Sequence, residues 1–425
     1  MIAAFVITLF VTLFLSVPIV WSLALASIVG MLFSGLPLIA IPQQIFNNLN
    51  SFSLMAVPFF ILSGDIMIIG GMSKRLVDYF QKIVGNLPGG LAIVSDIASM
   101  FFAAISGSST ATTAAIGGIM MPEMIKKGYD PDWVSVNQAT AGALGMIIPP
   151  SIALIMYGVS AGVSIGDLFL AGFTPGIFIG LSLIIYAYYM GKKHGWQGSS
   201  EKRATFKELV FGLKDAILAI LMPLIVLGGI YAGIFTPTES AVVAVVYSFI
   251  ISAFVYKELN FKKLIICLEA SARTTAVIMI VIGTAGSFGY FLAYAGIPDM
   301  VTNGITSITS NAFTFLMVVN ILLLIVGMFI NSAAAILILT PLLVPVAITY
   351  NVNLVHFGII MIVNLAIGFV TPPLGMDLFV SARISGRTIV QMSKALPVFM
   401  VLTILDLMVI TYWPALSMFI PNLLK

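Results

Sequence analysis

The chain has 425 residues, of which 60% are hydrophobic and only 8% charged, with a mean hydropathy of +1.14. A soluble domain carries about 25% charged residues, so this chain cannot cover itself with a water-compatible surface and is read as a polytopic membrane protein. Its net charge of +3 is too small to point to nucleic acid, and its single cysteine, Cys267, excludes an internal disulfide and a thiolate metal cage.

The apolar runs lack the ~10-residue alternation of an outer-membrane barrel, so the spans are predicted to be helices of roughly 20 residues. Residues 2–35 are too long for one simple span; either two short helices meet near Pro18 or one tilted helix runs through. The start has no basic n-region and reads as retained membrane helix, not a cleaved signal peptide. A span at 52–70 follows. Lys74, Arg75 and Lys82 then mark a cytoplasmic loop, because basic residues concentrate on that side.

The segment near 88–125 is flanked by Lys82 on one side and by Lys126 and Lys127 on the other. It enters apolar, turns small and polar at Ser106, Gly107, Ser108 and Ser109, and returns. That pattern predicts a re-entrant hairpin from the cytoplasmic side. "GMIIPPSIALIMY" (145–157) is a helix interrupted at Pro149–Pro150, because proline removes a backbone donor and clashes with the preceding turn. A span at 168–190 leads to "GKKHGWQGSSEKRATFKELVFGLKD", whose Lys192, Lys193, Lys202, Arg203, Lys207 and Lys214 make it a cytoplasmic connector.

Spans at 216–235 and 240–256 come next. Between them, "TPTESA" (236–241) supplies an N-cap threonine and a first-turn acid, Glu239, which is helix-start chemistry. Lys257, Lys262 and Lys263 mark a third cytoplasmic loop before a span at 272–293. Segments 294–312 and 347–357 contain no Lys or Arg and are expected to face outward. The segment between them, near 311–348, turns polar at Asn331 and Ser332 and predicts a second hairpin, entering from the outer side. "GFVTPPLGMDLFV" (368–380) is the second interrupted helix, and 395–418 is the last span. His194 and His356 are read in loop-like stretches with no second ligand nearby, which argues against a metal site.

The two interrupted segments resemble each other at an offset of 223 residues, and the same offset aligns "SSTATTAAIGGIMMPEM" (108–124) with "NSAAAILILTPLLVPVA" (331–347), matching Pro122 to Pro345. With the loop charges, this predicts two inverted repeats, a hallmark of secondary transporters. A helix break in hydrocarbon leaves carbonyls unpartnered at several kcal/mol each. It survives where protein or bound ions satisfy them, and free carbonyls suit a hard cation while half-helix N-termini suit an anion.

At "SGSSTATTAAIG", "MIIPPS", "TPTESA" and "TPPLGMD" the sequence resembles the large membrane subunit of tripartite ATP-independent periplasmic (TRAP) transporters, and the likeness covers nearly the whole chain. The resemblance implies an elevator-type, Na+-driven symporter of organic acids, of the C4-dicarboxylate or sialic acid type, in the bacterial inner membrane. It implies a separate small four-helix membrane subunit and a soluble periplasmic substrate-binding protein as partners. It also implies a first Na+ site at Ser106, Ser108, Gly145, Ile148 and Pro150, the last three through carbonyls. The repeat offset carries this site to Phe329, Asn331, Gly368, Thr371 and Pro373, of which Asn331, Gly368 and Thr371 are the stronger choices because Phe329 has no side-chain oxygen.

Asp377, deep in the apolar sequence, is a functional candidate by default. It takes a further Na+ or a proton, or pairs with Arg383. Ser108, Ser109, Thr110, Asn331 and Ser332 are expected to grip the substrate. Arg273 and Arg383 are further candidates, unless they simply mark helix ends at the cytoplasmic interface.

The division expected is scaffold helices at 1–51, a first repeat with its inward hairpin at 52–190, the basic connector at 191–215, scaffold helices at 216–263, and a second repeat with its outward hairpin at 264–425. A stand-alone ion or anion antiporter of the same architecture is the alternative. An enzyme is not expected, since the sequence has no H-E-x-x-H, no Ser-x-x-Lys and no Walker A.

Overall fold

The computed structural model describes residues 1–198 and 204–424, and every regular element among them is helical. Residues 2–35 form two helices, Ile2–Phe14 and Ile19–Ser34, that meet at Pro18, which settles the choice left open by the sequence. Among the described residues, seven helices are long and apolar enough to cross a membrane, including Phe52–Ile69, Ile165–His194, Phe206–Tyr231, Pro237–Val255 and the 34-residue Phe261–Tyr294. The last predicted span is a bent pair, Leu396–Tyr412 and Pro414–Leu423, turned by 56°.

Both hairpins and both breaks are present. The first hairpin is Gly90–Ser106 and Ser109–Lys126, and the second is Ala312–Phe329 and Ser332–Thr349. The first broken helix runs through Pro131–Ala143, unwinds over 144–151 and resumes as Ile152–Ala161; the second runs through Leu354–Gly368, unwinds over 369–375 and resumes as Met376–Ser385. The offset of 223 carries Ser109–Lys126 onto Ser332–Thr349 at both ends. It carries Pro149–Pro150 onto Pro372–Pro373, and both doublets have a cis peptide bond.

The two broken helices are antiparallel. Tyr157, near the end of the first, donates to the carbonyl of Leu354, at the start of the second, at 2.7 Å. Arg387, just past the end of the second, pairs with Asp132 in the first turn of the first at 2.6 Å. Each ends where the other begins, which is the geometry of an inverted repeat.

The same contacts sort the charges. One end of the molecule gathers Lys126, Lys127 and Arg387 beside the connector, where Tyr129 stacks on Trp196 at 4.7 Å and Gly89 N donates to Trp196 O at 3.0 Å. The opposite end, where Tyr350 reaches Thr309 O at 2.8 Å and His356 reaches Thr411 O at 3.2 Å, has no Lys or Arg in 294–312 or 347–357.

Three local readings are corrected. Lys74, Arg75 and Lys82 lie on an amphipathic helix, Met72–Val84, not a loop; Leu76, Val77 and Phe80 are buried on its apolar side. Arg75 pairs with Glu258 at 2.7 Å and lies 3.8 Å from the Tyr256 ring centroid, tying this helix to the segment before Phe261. The basic connector is largely helix ends: Lys192 and Lys193 close Ile165–His194, while Lys207 and Lys214 belong to Phe206–Tyr231; Lys202 and Arg203 lie outside the described residues. His356 is in the first turn of Leu354–Gly368, buried, with Nδ1 2.6 Å from Ser417 Oγ.

Candidate functional site

The first hairpin can turn at Ser106–Ser109 because Gly107 takes a left-handed φ of +59°, which costs a glycine little. Ser106 Oγ lies 2.9 Å from Thr112 Oγ1, and Thr112 Oγ1 donates to Ser108 O at 2.8 Å. The first break presses on this tip. Ile152 N donates to Gly107 O at 3.3 Å. A Cβ added to Gly107 would fall 2.7 Å from Pro150 O, and one added to Gly145 would fall 2.4 Å from Ser108 O.

Four of the predicted first-site residues, Ser106, Ser108, Gly145 and Pro150, thus meet where the tip presses on the break. Ile148 joins through the same unwound turn, its N–H on Leu144 O at 2.8 Å. Among the described residues, no donor pairs with the carbonyls of Ile148 or Pro150.

The second tip is looser. Asn331 caps Ser332–Thr349, its Oδ1 accepting from Ala333 N at 2.9 Å. Thr371 spends its hydroxyl on Ile367 O at 2.8 Å, so its free oxygen is the carbonyl. Gly368 packs on Gly327, where an added Cβ would meet backbone carbon at 2.5 Å. Phe329, the offset partner of Ser106, has an exposed ring. The pseudo-symmetry is therefore tighter in backbone than in side chains.

Between the tips lies a cavity of about 450 Å3, within the usual range for a small-molecule site. Ser108, Ser109, Thr110, Asn331 and Ser332, all five of the predicted tip residues for substrate, line it. Four helices begin at its wall: Ser109–Lys126, Ile152–Ala161, Ser332–Thr349 and Met376–Ser385. A helix N-terminus carries about half a positive charge and unpaired N–H groups. Arg273, from Phe261–Tyr294, completes the wall beside Thr274. These helix starts and Arg273 turn positive ends toward the cavity, the arrangement that suits an anion, although Ile152 N, Ala333 N and Asp377 N already have partners.

Arg273 corrects one expectation. It stands inside a helix that begins at Phe261, not at a helix end, and its guanidinium holds Glu269 at 2.6 Å. Arg383 corrects another: it is exposed and does not line the cavity. It does not pair with Asp377 either, since the ion pairs among the described residues are Arg75–Glu258, Arg273–Glu269 and Arg387–Asp132.

Glu239 has the structural place assigned to it, closing a reciprocal capping box with Thr236. Sequence reading passed over Thr112, one turn into the "SSTATT" run, although a hydroxyl at that spacing can reach back to the tip. It also passed over Asp65, which accepts from Ser271 Oγ at 2.6 Å and lines a neighbouring cavity of about 300 Å3 with Ser106 and Ser108.

Antiparallel repeats that bring two hairpin tips and two broken helices to one cavity, its apolar walls set with hydroxyl and amide groups, define a multi-pass membrane carrier. Comparison with known proteins gives the family. The profile of the DctM component of the tripartite ATP-independent periplasmic transporters matches residues 6–416. The chain is 42% identical to the isethionate TRAP transporter permease protein DctMQ of Oleidesulfovibrio alaskensis, over 96% of this chain and 64% of that one. It is 38% identical to the C4-dicarboxylate TRAP transporter large permease protein DctM of Pseudomonas aeruginosa, over 92% and 91%. It is also 38% identical to the sialic acid TRAP transporter permease protein SiaT of Haemophilus influenzae, over 97% and 67%.

The YdaH transporter of Alcanivorax borkumensis shares the fold, with a TM-score of 0.65 over 87% of both chains at 13% identity. The chain belongs to the DctM family: it is the large permease subunit of a TRAP transporter, and not an enzyme.

Proposed function

We propose that the chain carries a small organic acid across the bacterial inner membrane together with Na+. The observation that supports this most is the convergence of four helix N-termini and Arg273 on one cavity. An anion is the ligand that such a wall attracts. Each N-terminus is worth roughly 0.3–1 kcal/mol to a nearby negative group. Arg273 adds a charge-assisted hydrogen bond of roughly 1.5–3 kcal/mol. The relatives' names point to isethionate, C4-dicarboxylate and sialic acid, which all present an acid group.

Na+ is proposed at the first tip, on the oxygens of Ser106, Ser108, Gly145, Ile148 and Pro150, and at the second, on Asn331, Gly368 and Thr371. Carbonyls without donors, as at Ile148 and Pro150, are hard-cation ligands; at the second tip Gly368 O already accepts from Thr371 N at 3.0 Å, which leaves Thr371 to offer the free carbonyl. Bound Na+ draws each tip onto its break and so fixes the helix starts that face the acid. The hairpins and broken helices then move as one unit, elevator fashion, against Ile19–Ser34, Phe206–Tyr231, Pro237–Val255 and Phe261–Tyr294. The lysine-rich end faces the cytoplasm by the positive-inside rule. The acid is delivered by a periplasmic binding protein, and a small four-helix membrane subunit docks on the static helices.

Uptake measured in Na+-free medium, with the other gradients held, is expected to fall to background. Full uptake there rejects Na+ coupling. Ser108→Ala and Asn331→Ala are each expected to raise the Na+ concentration for half-maximal uptake about tenfold, the effect of losing roughly 1.4 kcal/mol of ligation, without loss of membrane insertion. Unchanged Na+ dependence in both removes these ligands.

A further inference from the structure

Asp377 opens the first turn of Met376–Ser385, one residue past the start of a helix resumed after a break. It is fully buried at 0% exposure, and no basic side chain pairs with it. Its own N–H is committed to Phe369 O at 3.0 Å. Its carboxylate is turned to the hydroxyls of Ser109 and Thr113 on the first hairpin. Both hydroxyls lie within range of the carboxylate, but neither reaches it in the geometry of a full hydrogen bond, and Thr113 Oγ1 has no other partner.

A buried carboxylate without a counter-charge costs several kcal/mol. A proton or a bound cation must neutralise it beyond what its own helix start supplies, and the surroundings offer a cation oxygen ligands and, among the described residues, no ion-pair partner. The side-chain groups gathered here, one carboxylate and two hydroxyls, all offer oxygen. They come from two elements of different repeats, and a third element holds them in place. A Cβ on Gly142 would fall 1.8 Å from Thr113 Oγ1, so the backbone of Pro131–Ala143 lies directly against that hydroxyl. One turn beyond Asp377, Ser381 Oγ donates to Ser135 O on the same helix. The charge is a single negative one, which a monovalent ion balances and a divalent ion does not.

We infer that Asp377, Thr113 and Ser109 form a monovalent-cation site shared between the two repeats, separate from the two tip sites. The inference rests on the reading of the chain as a Na+-coupled carrier and adds an ion to it. A cation here clamps the second half-helix to the first hairpin, so that the two repeats respond to Na+ together.

The test is the thermal unfolding midpoint of the full-length chain in lipid nanodiscs, as NaCl replaces choline chloride at constant ionic strength. The slope of stability against the logarithm of Na+ concentration counts the ions bound to the folded state. Asp377→Asn removes the charge, and Thr113→Val removes a ligand oxygen while keeping the charge. Both variants are expected to lose about one ion from the slope, because a site weakened at least about tenfold, the scale of losing a metal site's supporting group, stays empty over the Na+ range that fills it in the wild type.

If Asp377→Asn does not fold, Thr113→Val alone decides. A wild-type slope in the folded variants overturns the site and leaves a carboxyl group that carries a proton. No Na+ stabilisation of the wild type overturns it as well. Na+-independent uptake by a wild type that Na+ still stabilises sinks the coupling reading and not this site.

Discussion

Gly145→Ala is expected to cripple Na+-dependent uptake, whereas Gly118→Ala leaves it intact. A Cβ at position 145 would lie 2.4 Å from Ser108 O, 2.6 Å from Ser108 C and 2.8 Å from Thr112 Oγ1. Two of these atoms are backbone at the hairpin tip, so no side-chain rotation relieves the clash. The tip must move off the break, which shifts the oxygens of Ser106 and Ser108 away from Gly145 and Pro150. Overpacking of this kind costs roughly 1–3 kcal/mol, which is roughly 5- to 150-fold in Na+ affinity if it falls on the bound state. A Cβ at Gly118, on the same hairpin, meets nothing within 4 Å, and alanine is the better helix former. Half-maximal Na+ for uptake, measured in both variants, checks this. Equal values mean that contact between the first tip and the first break does not hold the ion.

Arg273→Gln is expected to weaken acid binding about tenfold, with the Na+ slope unchanged. The low end of the range for a charge-assisted hydrogen bond applies, because the guanidinium is 79% exposed and shared with Glu269, and exposed charges are screened. The same geometry gives a change of opposite sign. Glu269→Gln frees Arg273 from its i,i+4 partner and is expected to tighten acid binding. The readout is the acid concentration that half-stabilises the purified chain in saturating Na+. If Arg273→Gln and Glu269→Gln shift it in the same direction, Arg273 does not contact the acid.

Much of the fold was legible because the breaks are written in backbone chemistry. Proline and glycine restrict or free the main chain whatever packs around them, so the doublets at 149–150 and 372–373, and the small residues before them, kept their meaning without knowledge of the neighbours. Helix bounds that coincide across the offset of 223 are the structural form of that signal.

Side-chain direction was harder to read. Asp377 and Ser381 are four residues apart and share the buried face of Met376–Ser385. Arg383, two residues further on, points away from that face, which no count of apolar residues reveals. Arg273 was misplaced for a different reason. Hydropathy found the apolar part of the long helix from 272 onward, but the helix starts at Phe261 and carries its polar turns with it. In Met72–Val84 three basic residues, which suggest a loop, mask the helical spacing of Leu76, Val77 and Phe80.

Two hairpins that enter from opposite sides of the membrane are the core of this carrier. With the buried Cys267 replaced by serine, a single cysteine at exposed Lys127 or exposed Thr349 reports the side on which each hairpin ends. In intact cells, a membrane-impermeant maleimide is predicted to label Thr349→Cys at once and Lys127→Cys only after permeabilisation. Labelling of both, or of neither, before permeabilisation would place the hairpins on one side and contradict the inverted repeat on which the carrier depends.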